Sequence, residues 1–118
     1  PQIYVVDVEG GEPRRLLTLG GSAESPAWSH DGRYLAFAWR PPEASCYDIF
    51  VMDIASRQIV QLTSGPGSNE SPSWSPDDRH IAFQSNRTGR FEIYLIHVDG
   101  TGLKQVTTSG GTSPTWGR

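Results

Sequence analysis

The sequence predicts an all-β fold: a partial β-propeller of about 2.75 four-stranded antiparallel blades, or eleven strands, in 118 residues. Three observations predict it. The phrase Ser25-Pro26-Ala27-Trp28-Ser29, with Asp31-Gly32-Arg33 and Leu35-Ala36-Phe37, returns 46 residues later as Ser71-Pro72-Ser73-Trp74-Ser75 with Asp77-Asp78-Arg79 and Ile81-Ala82-Phe83, and starts again at Ser113-Pro114-Thr115-Trp116. A second phrase alternates with it: Ile3-Tyr4-Val5-Val6-Asp7-Val8, Ile49-Phe50-Val51-Met52-Asp53-Ile54 and Ile93-Tyr94-Leu95-Ile96-His97-Val98. Finally, no stretch keeps apolar residues at helical spacing for more than about a turn. A single repeat cannot cover its own apolar faces, so stability has to come from stacked neighbours.

The chain divides into the second half of one blade (residues 1–19), a full blade (25–63), a second full blade (71–107) and the first strand of a further blade (112–116). Strand one of each blade carries Ser-Pro-x-Trp. Its proline lacks an N–H and is tolerated at a strand start or on a sheet edge, as the innermost strand of a blade would be. A turn rich in Ser, Asp, Gly and Pro leads into strand two, at 34–38 and 80–84. Strand three is the Ile-aromatic-aliphatic phrase, at 3–8, 49–54 and 93–98. Apolar residues on both of its faces suit a strand packed between neighbouring sheets. Strand four is short, at 16–18, 59–63 and 103–107. Four blades is about the smallest ring that closes, so this segment does not close a ring alone.

Composition excludes several classes. Thirteen acidic and ten basic side chains give a net charge of −3, and Lys104 is the single lysine, so no basic stripe exists to neutralise phosphates. No apolar run approaches the roughly 20 residues that span a bilayer. The chain starts at Pro1 in mid-repeat, which reads as a piece of something longer, so the missing leader leaves the compartment open. One cysteine, Cys46, excludes an internal disulfide framework.

Catalytic chemistry is not expected. No G-x-S-x-G elbow occurs, and His30, His80 and His97 share no metal-ligand spacing with one another or with Cys46. Asp31, Asp77 and Asp78 read as caps of the hairpin turns, since no calcium loop is present. Trp28, Trp74 and Trp116 recur at fixed phase, which points to a structural role between blades. Trp39 has no such periodic partner. No catalytic residue, metal ligand or cofactor is therefore assigned.

The segments Asp48 to Asp53, Ser71 to Phe83 and Phe83-Gln84-Ser85-Asn86-Arg87-Thr88-Gly89 with Glu92-Ile93-Tyr94 resemble the WD40-like repeat of the TolB β-propeller family. The resemblance covers essentially the whole chain. It implies a bacterial, non-catalytic module for protein interaction, either part of a larger propeller or a self-associating half-propeller, and it favours a periplasmic or secreted location. The same repeat also occurs in the gating propellers of prolyl-oligopeptidase-like serine peptidases, which is the alternative reading. Expected partners are a protein or a second copy completing a ring, with no nucleic acid and no membrane insertion.

Successive strands of a blade reverse direction, so the loops after strands two and four emerge on one rim, at 19–24, 40–45, 64–70, 86–90 and 108–112. Recognition residues concentrate on loops held by a rigid scaffold. Glu24, Trp39, Arg40, Glu43, Glu70 and Arg87 are the expected protein-binding rim. The segment from Trp39 to Ser45 is the stretch most individual to this chain, two residues longer than its counterpart and stiffened by Pro41-Pro42.

Overall fold

The computed structural model describes residues 22–107 together with 4–5 and 14–15. Ten strands lie among them: β1 (Tyr4–Val5), β2 (Arg14–Arg15), β3 (Ser22–Trp28), β4 (Tyr34–Arg40), β5 (Asp48–Asp53), β6 (Ile59–Gln61), β7 (Asn69–Trp74), β8 (His80–Ser85), β9 (Glu92–His97) and β10 (Lys104–Gln105). Two antiparallel four-stranded meanders, β3-β4-β5-β6 and β7-β8-β9-β10, follow a two-stranded pair β1-β2. The fold is thus an all-β partial propeller. The partner of β1 is Arg14–Arg15, with Tyr4 opposite Arg15. The expected strands at 16–18 and 112–116 lie outside the described residues.

Strand one differs from expectation in where it begins. β3 and β7 start three and two residues before the Ser-Pro pair, which sits inside the strand as a bulge between Glu24 and Ala27 and between Glu70 and Ser73. Proline cannot donate to the ladder, so pairing breaks at Pro26 and Pro72 and resumes beyond them. Ser25 and Ser71 take φ of 54° and 55° to make the bulge. β3 and β7 are both sheet edges.

The following turn is built identically twice. Ser29 Oγ donates to Asp31 Oδ1 at 2.7 Å, which also accepts from the Arg33 amide, while the Tyr34 amide donates back to Ser29 Oγ. Ser75, Asp77, Arg79 and His80 repeat every bond. One position differs. Gly32, at φ 74°, is replaced by Asp78, at φ 59°, a conformation that a non-glycine residue holds only with compensation. Asp78 Oδ1 accepts from the His30 amide at 2.8 Å and Oδ2 from the Asp31 amide at 3.1 Å, so the substituted turn clamps the hairpin of the preceding blade.

Side chains alternate across each sheet to form two apolar clusters. Phe83, Ile81, Tyr94, Ile96 and Trp74 of the second sheet pack on Ala36, Ala38, Ile49, Val51 and Leu62, making the core between the blades. Leu35, Phe37, Phe50 and Met52 fill the other face of the first sheet. Trp74 is 4% exposed, stacks on Tyr34 at 6.3 Å and donates Nε1–H to Ala27 O at 2.8 Å. It therefore ties strand one of one blade to strands one and two of the blade before. Trp28 holds the same phase but is 46% exposed.

Candidate functional site

The connection between the two full blades is held by a polar network. Asp48 begins β5, and its Oδ1 accepts from Thr63 Oγ1 at 2.8 Å, the Gly65 amide at 2.9 Å and Asn69 Nδ2 at 2.9 Å. Thr63 Oγ1 in turn accepts from the buried Ile49 amide. Asn69 is fully buried at the start of β7, so Asp48 joins the strand-four loop of one blade to strand one of the next. The Tyr47 amide donates to Ser68 Oγ, and the Ser68 amide donates to Asn86 Oδ1, which extends the network to the next strand-two loop. In the second sheet Glu92 and Thr107 take the places of Asp48 and Thr63, with the Thr107 hydroxyl donating to Glu92 at 2.6 Å and accepting from the Ile93 amide. Buried polar groups without partners are costly, and this chain leaves the backbone at both strand-three entrances satisfied.

Arg87 belongs to this network. Its Nε donates to Ser85 Oγ at 3.0 Å, one terminal nitrogen donates to Asn69 Oδ1 at 2.9 Å, and the guanidinium lies 4.7 Å from the Tyr94 ring centroid. A planar guanidinium can serve two acceptors and a ring at once. Glu70 accepts from Ser68 Oγ at 2.9 Å. Trp39 is half-buried, packed against the second apolar cluster with its ring edge-on to Phe50 at 5.1 Å. Arg40 lies over Tyr47 at 6.0 Å and donates to Ala44 O at 3.2 Å. Glu43 is exposed in the turn that the Ala44 amide closes on Pro41 O. Glu24 stands opposite Ala38 on β3.

The six residues lie at one end of the two sheets in two groups. Glu24, Trp39, Arg40 and Glu43 belong to the first blade, and Glu70 and Arg87 to the second. The hydrogen bonds of Arg87 and Glu70 tie them to their own scaffold, whereas Glu43 presents its carboxylate to solvent. Sequence reasoning gave Asp48 and Thr63 no site role, and read Asn69 only as the start of a chance glycosylation pattern. A signal was available: a threonine recurs at one phase of the repeat, at positions 18, 63 and 107, and an acidic residue precedes the strand-three isoleucine at Asp48 and Glu92.

At the opposite end the turn carboxylates are held ionised. Asp31 lies below the ordinary carboxylate range because of the Ser29 hydroxyl and then the Arg33 amide, and Asp77 because of the Ser75 hydroxyl and then the Arg79 amide. Asp99 is lowered by the Thr101 hydroxyl and the Thr101 amide. Among the described residues no three His, Cys, Asp or Glu converge closely enough to hold a metal, and no helix is long and apolar enough to cross a membrane.

No curated protein sequence matches the chain at a significant level. A putative TolB from Agrobacterium tumefaciens is similar in structure, with a TM-score of 0.87 and 35% identity over 96% of this chain and 40% of its own. TolB from Acinetobacter baumannii has a TM-score of 0.81 and 26% identity, over 95% of this chain and 28% of its own. The tricorn protease has a TM-score of 0.69 and 18% identity, over 82% of this chain and 12% of its own. The chain thus spans less than half the length of each. The profile of the TolB beta propeller domain matches residues 1–117, and with two blades built as described the chain belongs to that family.

Proposed function

We propose that this chain is a non-catalytic propeller module that binds a protein partner through the rim carrying Glu24, Trp39, Arg40, Glu43, Glu70 and Arg87. The observation that carries the reading is the fixation of that rim. The Asp48, Thr63, Asn69 and Arg87 bonds tie the connection between the blades to the strand-two loop after β8, and the Arg40–Ala44 and Ala44–Pro41 bonds brace the loop at 40–45, so these segments form a preset surface. Pro42 and Glu43 are exposed in the turn between β4 and β5. Membership of the TolB family supports an interaction module. The likeness to the tricorn protease shows the fold alone, so the peptidase-gating reading brings no reaction to these residues. Self-association is the same reading with a second copy as the partner, because exposed sheet edges favour pairing.

A photo-crosslinking amino acid at Glu43 and, as a control, at Ser56 on the opposite end tests the rim in living cells. A partner captured from position 43 alone is then purified and its affinity measured. Arg40→Ala combined with Glu43→Ala is expected to weaken binding about tenfold, or about 1.4 kcal/mol. Undiminished affinity of that partner for the double variant refutes the rim. Sedimentation of the purified chain shows whether the partner is a second copy.

A further inference from the structure

Between the two four-stranded sheets, on the hairpin side and away from the rim, lies an open cleft of about 490 Å³. Its wall is apolar. Tyr34 and Val51 come from the face of the first sheet, Val60 from the outermost strand β6, and Val98 from the turn after β9. Val60 is 58% exposed and Val98 36%, so the neighbouring blade does not cover them. Asp31, Asp77, Asp78 and Asp99 also line the cleft; no basic residue does among the described residues, although Arg33 and Arg79 stand beside Asp31 and Asp77.

These carboxylates are fixed before any ligand arrives. In Asp31, Asp77 and Asp99 the Oδ1 atom is held by donors of its own turn, and Oδ2 has no donor among the described residues. The four charges sit on three turns, Asp77 and Asp78 being neighbours on one of them, spread around valines. That spacing does not gather oxygens around one ion, but it does match cations carried apart on one extended chain. The Tyr34 ring accepts a guanidinium within this same molecule, with Arg33 5.4 Å from its centroid.

We propose that the interblade cleft docks an extended basic segment of a partner protein, with aliphatic side chains against Val51, Val60 and Val98 and Lys or Arg side chains at Asp31, Asp77 and Asp99. The fit is one of charge complementarity around an apolar groove. Exposed ion pairs contribute little individually, so binding is weak and salt-sensitive, on the order of 100 µM at low salt. This surface goes beyond the rim and is independent of it.

The test is a titration of the isotope-labelled 118-residue chain with the capped pentapeptide Val-Arg-Val-Lys-Val, read by amide chemical shifts. Shifts are expected at Asp31, Val60, Asp78 and Asp99, with none from the same peptide carrying Glu for Arg and Lys. Asp77→Asn with Asp99→Asn keeps each turn acceptor while removing two charges, and is expected to weaken binding about tenfold. Val60→Thr weakens it severalfold, and Arg40→Ala with Glu43→Ala leaves it unchanged, so the two surfaces fail separately. Shifts confined to 40–45 or 64–68, equal binding of the Glu peptide, or unchanged affinity in the cleft variants overturns the proposal. So does calcium chloride alone if it reproduces the shifts, since that assigns the carboxylates to an ion.

Discussion

Trp74→Phe and Trp28→Phe make the same chemical change at the same phase of the repeat, in opposite surroundings. Trp74 is 4% exposed and its Nε1–H reaches Ala27 O at 2.8 Å; Trp28 is 46% exposed. Phenylalanine at 74 leaves the Ala27 carbonyl without its donor, which costs about 1 kcal/mol. Loss of the second ring uncovers on the order of 40 Å² of apolar surface, about 1 kcal/mol more at 25 cal/mol/Å². Stacking on Tyr34 survives in part, so the total is about 2 kcal/mol. At position 28 much of that surface already meets water, and the change costs under about 0.5 kcal/mol. With a urea slope of roughly 1.5 kcal/mol/M, Trp74→Phe lowers the unfolding midpoint by about 1.3 M and Trp28→Phe by about 0.3 M or less. Far-UV circular dichroism is the appropriate probe, since both changes alter tryptophan emission. Equal shifts for the two variants, or a shift at Trp74 below 0.3 M, would refute the interblade role of the indole.

Two further outcomes follow from the polar contacts. Thr63→Val preserves volume but removes the hydroxyl shared by the Ile49 amide and Asp48 Oδ1, and is expected to cost about 2 kcal/mol in the same urea assay, with Thr63→Ser losing less than half as much. Asp31 and Asp77 have folded pKa values below 3.8, so the stability they contribute is present above that value and is lost as pH falls through their folded pKa. Asp31→Asn and Asp77→Asn are therefore expected to be less stable than the parent near neutrality, with the gap narrowing as the pH drops below 3.8. A gap independent of pH, measured by thermal unfolding across the acid range, contradicts this account.

Much of the fold was legible because the repeat is written in residues whose local physics is narrow. Ser, Asp and Gly at the hairpins, the β-branched and aromatic strand-three phrase, and the phased tryptophans each specify one structural role. The Ser-Pro bulge was less legible, since a proline marks a break in the ladder without saying on which side the strand begins. Of the six residues expected on rim loops, Glu43 and Arg87 lie outside the strands, whereas Glu24, Trp39, Arg40 and Glu70 lie within β3, β4 and β7, and their contacts were not legible. Arg87 reads in the sequence as a rim residue, whereas its partners Ser85, Asn69 and Tyr94 come from three strands brought together by folding. Asp48 and Thr63 lie 15 residues apart, and only pairing of β5 with β6 makes them neighbours.

The aspartate that replaces glycine in the second hairpin has a consequence for how such arrays can be rearranged. Asp78 reaches backward only, to the amides of His30 and Asp31, and the glycine-bearing hairpin has no side chain with which to answer. The two blades are therefore not interchangeable modules. Shuffling them so that the Gly32 hairpin follows the Asp78 hairpin would keep both sheets and both turns yet erase the stitch at their junction, leaving Asp78 in a left-handed conformation with nothing to hold it there. A single residue thus records neighbour order, and duplicated blades become ordered parts as soon as one of them acquires it.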